Sequence, residues 1–262
     1  MIGTNPLKKV IECVILSTYV KDEKPNSLLI VAKPETGKTA SMKLYRENKG
    51  IVYITDCTAY GLTRDILPKL LSGELRTIMI ADLITPLSRS TKTRKGFVAF
   101  LNNLIEEGIA KQTTYATIWE KEVKANVITA ITEEELKDAR HDWAKMGFLS
   151  RFITFSFGYP ISTITKVLEY YSTHPPIFSP IKIKFPKSEV EIRLSKEIAD
   201  KLDPIAIKLG NSMNLYGFRA KINFRSFIKA IALRNGRREA TMQDFEEFLE
   251  LARWINLDFN PL

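Results

Sequence analysis

A glycine followed by a lysine and a threonine closes the run AKPETGKT at residues 32–39, and these residue types at this spacing bind phosphate. Backbone N–H groups of such a loop, and of the helix it opens, converge on one phosphate. A lysine ammonium at Lys38 reaches the outer phosphoryl oxygens, and a hydroxyl at Thr39 ligates magnesium. Gly37 lets the backbone approach closely. Pro34, Glu35, Thr36, Gly37, Lys38, Thr39 and Ala40 are therefore the candidate cradle, and ATP with Mg²⁺ the expected cofactors. The second chemical residue is Asp82, an acid just after the apolar run 78–81. At the carboxyl end of a strand its carboxylate would share the metal with Thr39.

Two positions depart from the usual pattern. Ala32 stands where GxxxxGK[ST] has its first glycine, and a small residue there still ends a strand without crowding phosphate. Leu83 follows Asp82 where hydrolysing enzymes commonly place a glutamate that polarises the attacking water, so the pattern supports nucleotide binding more directly than hydrolysis. Asp56 is a further acid near the site, with a loop acid or helix cap as its ordinary role.

These residues need a scaffold, and the hydrophobic periodicity supplies one. Apolar runs at 28–31, 51–55, 78–81 and 127–131 predict strands, and residues 40–48, 97–107 and 133–146 predict helices. Crossovers of this length imply a parallel sheet, hence an α/β fold of the P-loop type with flanking helices. Residues 108–126 alternate in character and predict a hairpin. From 159 onward the pattern changes to a helix in ISTITKVLEYY, a proline-punctuated PPIFSPIKIKF and three more helical segments. The expected organisation is a nucleotide-binding domain at 1–158 and an all-α lid at 159–262. Thr241 and Asp244 predict a capping box, with Phe245, Phe248, Leu249 and Ala252 on one core-facing side.

The run GFLSRFITFSF at 147–157 resembles the AAA+ ATPases of the minichromosome maintenance (MCM) type, in which a hairpin precedes the sensor 1 strand and Leu-Ser-Arg-Phe carries an arginine finger. Leu149, Ser150, Arg151 and Phe152 match that motif. The resemblance implies that Arg151 reaches nucleotide held by an adjacent copy, and hence a homo-oligomer, expected as a hexamer-like ring. It implies the sensor 1 position for Thr132, with Thr129 as the alternative. KINFRSFIKAIALRNGRREATMQDFEEFLELA is similar to the family's lid, which gives Arg225 the sensor 2 role and makes Arg219 the second candidate. The amino-terminal DNA-collar domain and zinc site of cellular MCM proteins have no room in 262 residues.

Composition bounds the partners. A formal charge of +9 favours a polyanion, weakly. Two basic stretches could meet DNA: Arg89, Lys92, Arg94 and Lys95 in LSRSTKTRKGF, and Lys111, Lys121 and Lys124 interleaved with Tyr115 and Trp119. Cys13 and Cys57 are far apart, and with only His141 and His174 besides they make neither a disulfide framework nor a zinc site. No apolar run spans a bilayer, so a soluble, cytoplasmic protein with no membrane contact is expected. The activity expected is that of an oligomeric ATPase, DNA-dependent as a minimal helicase or helicase-loading factor. Its alternatives are a protein-remodelling factor of the MoxR and chelatase type, with a protein partner supplying targeting, and an ATP-gated scaffold with little hydrolysis.

Overall fold

The computed structural model describes residues 3–108, 112–114, 117–119, 123–175, 178–212, 215–257, 260 and 262. Strands β1 (Ser27–Val31), β2 (Ile51–Ile54), β3 (Thr77–Ile80), β6 (Asn126–Ile131) and β7 (Phe152–Ser156) form one sheet in the order β2-β3-β6-β1-β7. Every pairing in it is parallel. SLLIV, TIMI, NVITAI and FITFS are buried at every position, as strands covered on both faces must be. The predicted hairpin is present as β4 (Gln112–Thr114) and β5 (Thr117–Trp119), paired antiparallel.

Alternate side chains along the strands build two cores. Leu28, Ile30, Met79, Ile128 and Phe155 pack on α1 (Asn5–Ser17), α11 (Phe218–Arg234) and α12 (Met242–Ala252). Leu29, Val31, Ile78, Ile80 and Val127 face the other way. There they meet α6 (Thr91–Glu107), α7 (Glu133–Lys145) and the crossover formed by α3 (Ala59–Gly61), the π turn Leu62–Ile66 and α4 (Leu67–Leu71). A short α5 (Ile84–Leu87) links β3 to α6. Beyond β7 come α8 (Ile161–Thr173), α9 (Lys196–Lys201) and α10 (Asp203–Ser212). The α10–α11 junction requires glycine: Gly217 has φ +85°, and a Cβ there would stand 2.3 Å from the Ala206 carbonyl oxygen.

Several expectations need correction. The helix after the phosphate loop, α2 (Lys38–Lys43), ends before the predicted residue 48. The Leu44 carbonyl accepts from Ile181 N at 2.8 Å instead of continuing the helical ladder, and the chain turns by i→i+3 bonds through Asn48. Helix α6 starts earlier than the predicted residue 97, so Lys92, Arg94 and Lys95 lie in its first turns. The Thr241–Asp244 capping box is present, and Phe245 and Phe248 are buried. Leu249, placed in the core from spacing, is 41% exposed.

Candidate nucleotide-binding site

Three neighbouring strands deliver the candidate residues to one edge. Strand β1 ends at Val31 and runs into the loop, β3 ends before Asp82, and β6, lying between them, ends before Thr132. The loop has the backbone of an anion cradle: Gly37 is left-handed at φ 79°, and Glu35 is left-handed at φ 64°, a conformation that costs a non-glycine residue about 1 kcal/mol. Ala32 is absent from the left-handed positions and wholly buried, which explains why alanine serves there. The loop is braced by Thr36 Oγ1 donating to Lys33 O at 2.8 Å and by Tyr159 Oη donating to Thr36 O at 2.9 Å. Lys38 Nζ donates to the carbonyls of Ala32 and Lys33 at 2.7 and 2.8 Å, so the ammonium is held across the mouth of the loop. Burial lowers its pKa, against the opposing pull of Asp82 and Glu135.

Asp82 Oδ1 accepts from Ile84 N at 3.0 Å, starting α5. Burial raises the Asp82 pKa and Glu135 adds to the rise, while Ile84 N–H and Lys38 oppose it. Leu83 points into the core, wholly buried, with its N–H on Ala130 O at 2.9 Å. Its side chain is therefore shut off from solvent. Thr132 caps α7: its hydroxyl donates to Glu135 Oε2 at 2.7 Å, and its N–H reaches the same oxygen at 3.0 Å. Glu135 is thereby fixed within electrostatic reach of both Lys38 and Asp82. The sequence reading missed this acid, although Thr-x-x-Glu at 132–135 is a capping-box signal that would have found it. Thr129 lies inside the sheet, fully buried, between Leu29 and Ile80. Asp56 is tied to Arg89 in an ion pair.

The donors at this edge fit a magnesium nucleotide. One carboxylate, one hydroxyl and phosphate oxygens are the hard ligands Mg²⁺ takes, and among the described residues no cluster of three or more acids, histidines or cysteines competes as a metal site.

Arg151 lies at the other end of the sheet. It ends the turn Leu149–Arg151, just before β7, whose first residue pairs with Ser27 at the start of β1. The length of β1 puts about 13 Å of strand between that level and the loop. Arg151 Nε pairs with Glu106 Oε2 at 3.0 Å, Arg219 Nε with the same oxygen at 3.2 Å and Lys24 Nζ with Oε1 at 3.4 Å. Arg219 also donates to Ser150 Oγ at 3.1 Å. Burial pushes the Glu106 pKa up, but Lys24, Arg219 and Arg151 outweigh it and the net shift is downward. Arg225 stands further along α11 and pairs with Glu23 at 2.9 Å, beside Lys229 at 2.6 Å. The arginine that opens α11, and that joins Arg151, is thus Arg219.

The residues singled out for DNA are scattered. Arg89 is taken by Asp56, and Lys124 is bound to Glu189 at 2.8 Å and to the Val20 carbonyl, a structural tie rather than a free cation. Lys111, Tyr115 and Lys121 lie outside the described residues. Lys92, Arg94 and Lys95 are exposed on α6. Among the described residues no helix is long and apolar enough to cross a membrane.

No family model and no curated protein matches the chain by sequence. In three dimensions it is similar to the full-length MCM homologue from Methanopyrus kandleri, with a TM-score of 0.59 at 15% sequence identity. The match covers 97% of this chain and 56% of that one, so the chain spans little more than half the length of this neighbour. The likeness shows a fold shared with that neighbour over nearly the whole of this chain.

Proposed function

We propose that this chain is the ATPase module of an oligomeric AAA+ motor, in which each complete site is shared between two copies. The observation that supports it most directly is the division of the chemistry between opposite edges of one sheet. Lys38, Thr39 and Asp82 stand at the carboxyl edge, and Arg151 and Arg219 at the amino edge, too far to serve their own loop. Residues 34–40 hold the phosphates of ATP, and Thr39 with Asp82 holds Mg²⁺, which would screen phosphoryl charge. Glu135, positioned by Thr132, takes the water-orienting role that buried Leu83 cannot fill. Arg151 of the adjacent copy neutralises charge developing on the γ-phosphate, with Arg219 and Arg225 lining the same edge. Residues 159–262 act as the lid.

DNA is the proposed substrate. Helix α6 opens with exposed Lys92, Arg94 and Lys95 and no acid in its first turn, opposite to what the helix dipole favours, and a polyanion would relieve that arrangement. A second reading, a protein client, is favoured by α8: none of its residues is buried, and Ile161, Ile164, Leu168 and Tyr171 leave an apolar stripe uncovered.

ATP turnover with and without single- and double-stranded DNA tests the proposal. Lys38→Ala and Arg151→Ala should each be inactive alone, and mixing the two should restore turnover at the mixed junctions. Failure of the mixture to recover would remove the shared site. Turnover indifferent to DNA at low salt would favour the protein client, and ATP binding without turnover would mean a nucleotide-gated scaffold.

A further inference from the structure

The phosphate loop opens into a cavity of about 590 Å³ that is larger than a triphosphate needs. Besides Gly37 and Lys38 it is lined by Ala40 and Lys43 of α2 and by Phe178 and Pro180, which come from the segment beyond α8. Phe178 is 49% exposed. Among the described residues no other aromatic ring packs on it.

The chain just after this ring is hydrogen-bonded to the end of the α2 segment. Ile181 N donates to Leu44 O at 2.8 Å, Asn48 Nδ2 donates to Ile181 O at 2.7 Å, and Ile183 N donates to Asn48 Oδ1 at 2.9 Å. Buried Asn48 thus uses both halves of its amide on the strap and spends a second Nδ2 bond on Tyr45 O, closing the end of the α2 segment. The clamp that cuts α2 short therefore ties down the chain a few residues after a ring that lines the same cavity as the phosphate loop.

We infer that Phe178 is the stacking platform for the base of the bound nucleoside triphosphate, with Pro180 setting the approach of the strap. This rests on the phosphate-loop reading above. A ring face half open to water offers a base the same apolar contact that aromatic platforms offer elsewhere, without reading its hydrogen-bonding edge.

The test compares Mg-ATP with magnesium tripolyphosphate, which has the phosphates but no base, on the full chain. Phe178→Ala should weaken ATP roughly tenfold and leave tripolyphosphate unchanged. Phe178→Trp should keep ATP affinity and show a fluorescence change, absent from the unsubstituted chain, with ATP but not with tripolyphosphate. Lys38→Ala should weaken both ligands. ATP affinity untouched by Phe178→Ala, while Lys38→Ala still weakens both ligands, would overturn the platform alone. An equal loss of both ligands in Phe178→Ala would also overturn it, because the ring would then act through the loop. Binding of neither ligand to the unsubstituted chain would bring down the phosphate-loop reading and the platform with it.

Discussion

The two edges of the central sheet are opposites in charge and in the way they are held. At the carboxyl edge the Lys38 ammonium faces two acids, Asp82 and Glu135, and the backbone of the loop does most of the positioning. At the amino edge five cations, Lys24, Arg151, Arg219, Arg225 and Lys229, are gathered by two carboxylates, Glu106 and Glu23. A metal nucleotide added to the first edge brings further negative charge, and the second edge already carries the surplus that would meet it. What the difference teaches is that one edge is ordered by loop backbone and the other by ion pairs.

Arg151→Ala breaks this comparison most severely. Turnover should fall about 10³-fold while the affinity of the chain for ATP stays within a few-fold, since the arginine acts on charge that develops during transfer. Equal losses in both would place Arg151 at its own nucleotide.

Asp82 sharpens the carboxyl edge through pH. Its carboxyl is raised above the ordinary value, so in the proposed role its grip on magnesium would weaken as pH falls through that raised pKa, and the metal dependence of ATP affinity should fade with it. Asp82→Asn should lose about tenfold of the magnesium-dependent affinity at neutral pH and show no such pH limb. A mutant limb that parallels the unsubstituted one would assign the titration elsewhere.

At the amino edge, Glu106→Gln should cost about 1 kcal/mol of stability, because the cluster is partly open to solvent. Glu106 has a lowered folded pKa, so its contribution is complete above the unfolded glutamate value and is lost as pH falls through the lower folded one. Thermal melts of the unsubstituted chain should therefore converge on those of the variant at acid pH, and a difference that persists there would contradict the charge account. Leu249→Ala, on an exposed face, should change stability by less than about 0.5 kcal/mol.

Much of the carboxyl edge was legible because its signals are local. A glycine, a lysine and a threonine in sequence, an apolar strand before them and an acid after another strand require no knowledge of distant contacts. Glu135 was equally local but was passed over among three successive acids at 133–135, where only its spacing to Thr132 distinguishes it. The amino edge was legible only as single arginines. That Glu106 gathers Lys24, Arg151 and Arg219 depends on tertiary pairing of the α6 end with α11 and the turn before β7. Tertiary contact also decided the early end of α2, the exposure of Leu249 and the capture of Lys124 by Glu189, none of which periodicity records.

The parallel register of β1 and β7, Ser27 with Phe152 through Val31 with Ser156, gives the module a front and a back. In the proposed arrangement copies of such a unit would join head to tail, a contact that would not satisfy both partners of a pair at once. Two copies would make one finished junction and leave one phosphate loop and one Arg151 outside any junction. A row of n copies has n−1 junctions, and only closure supplies the last. Activity per chain would then rise with concentration even where every loop is already filled with ATP, and its plateau would count closed assemblies rather than bound nucleotide.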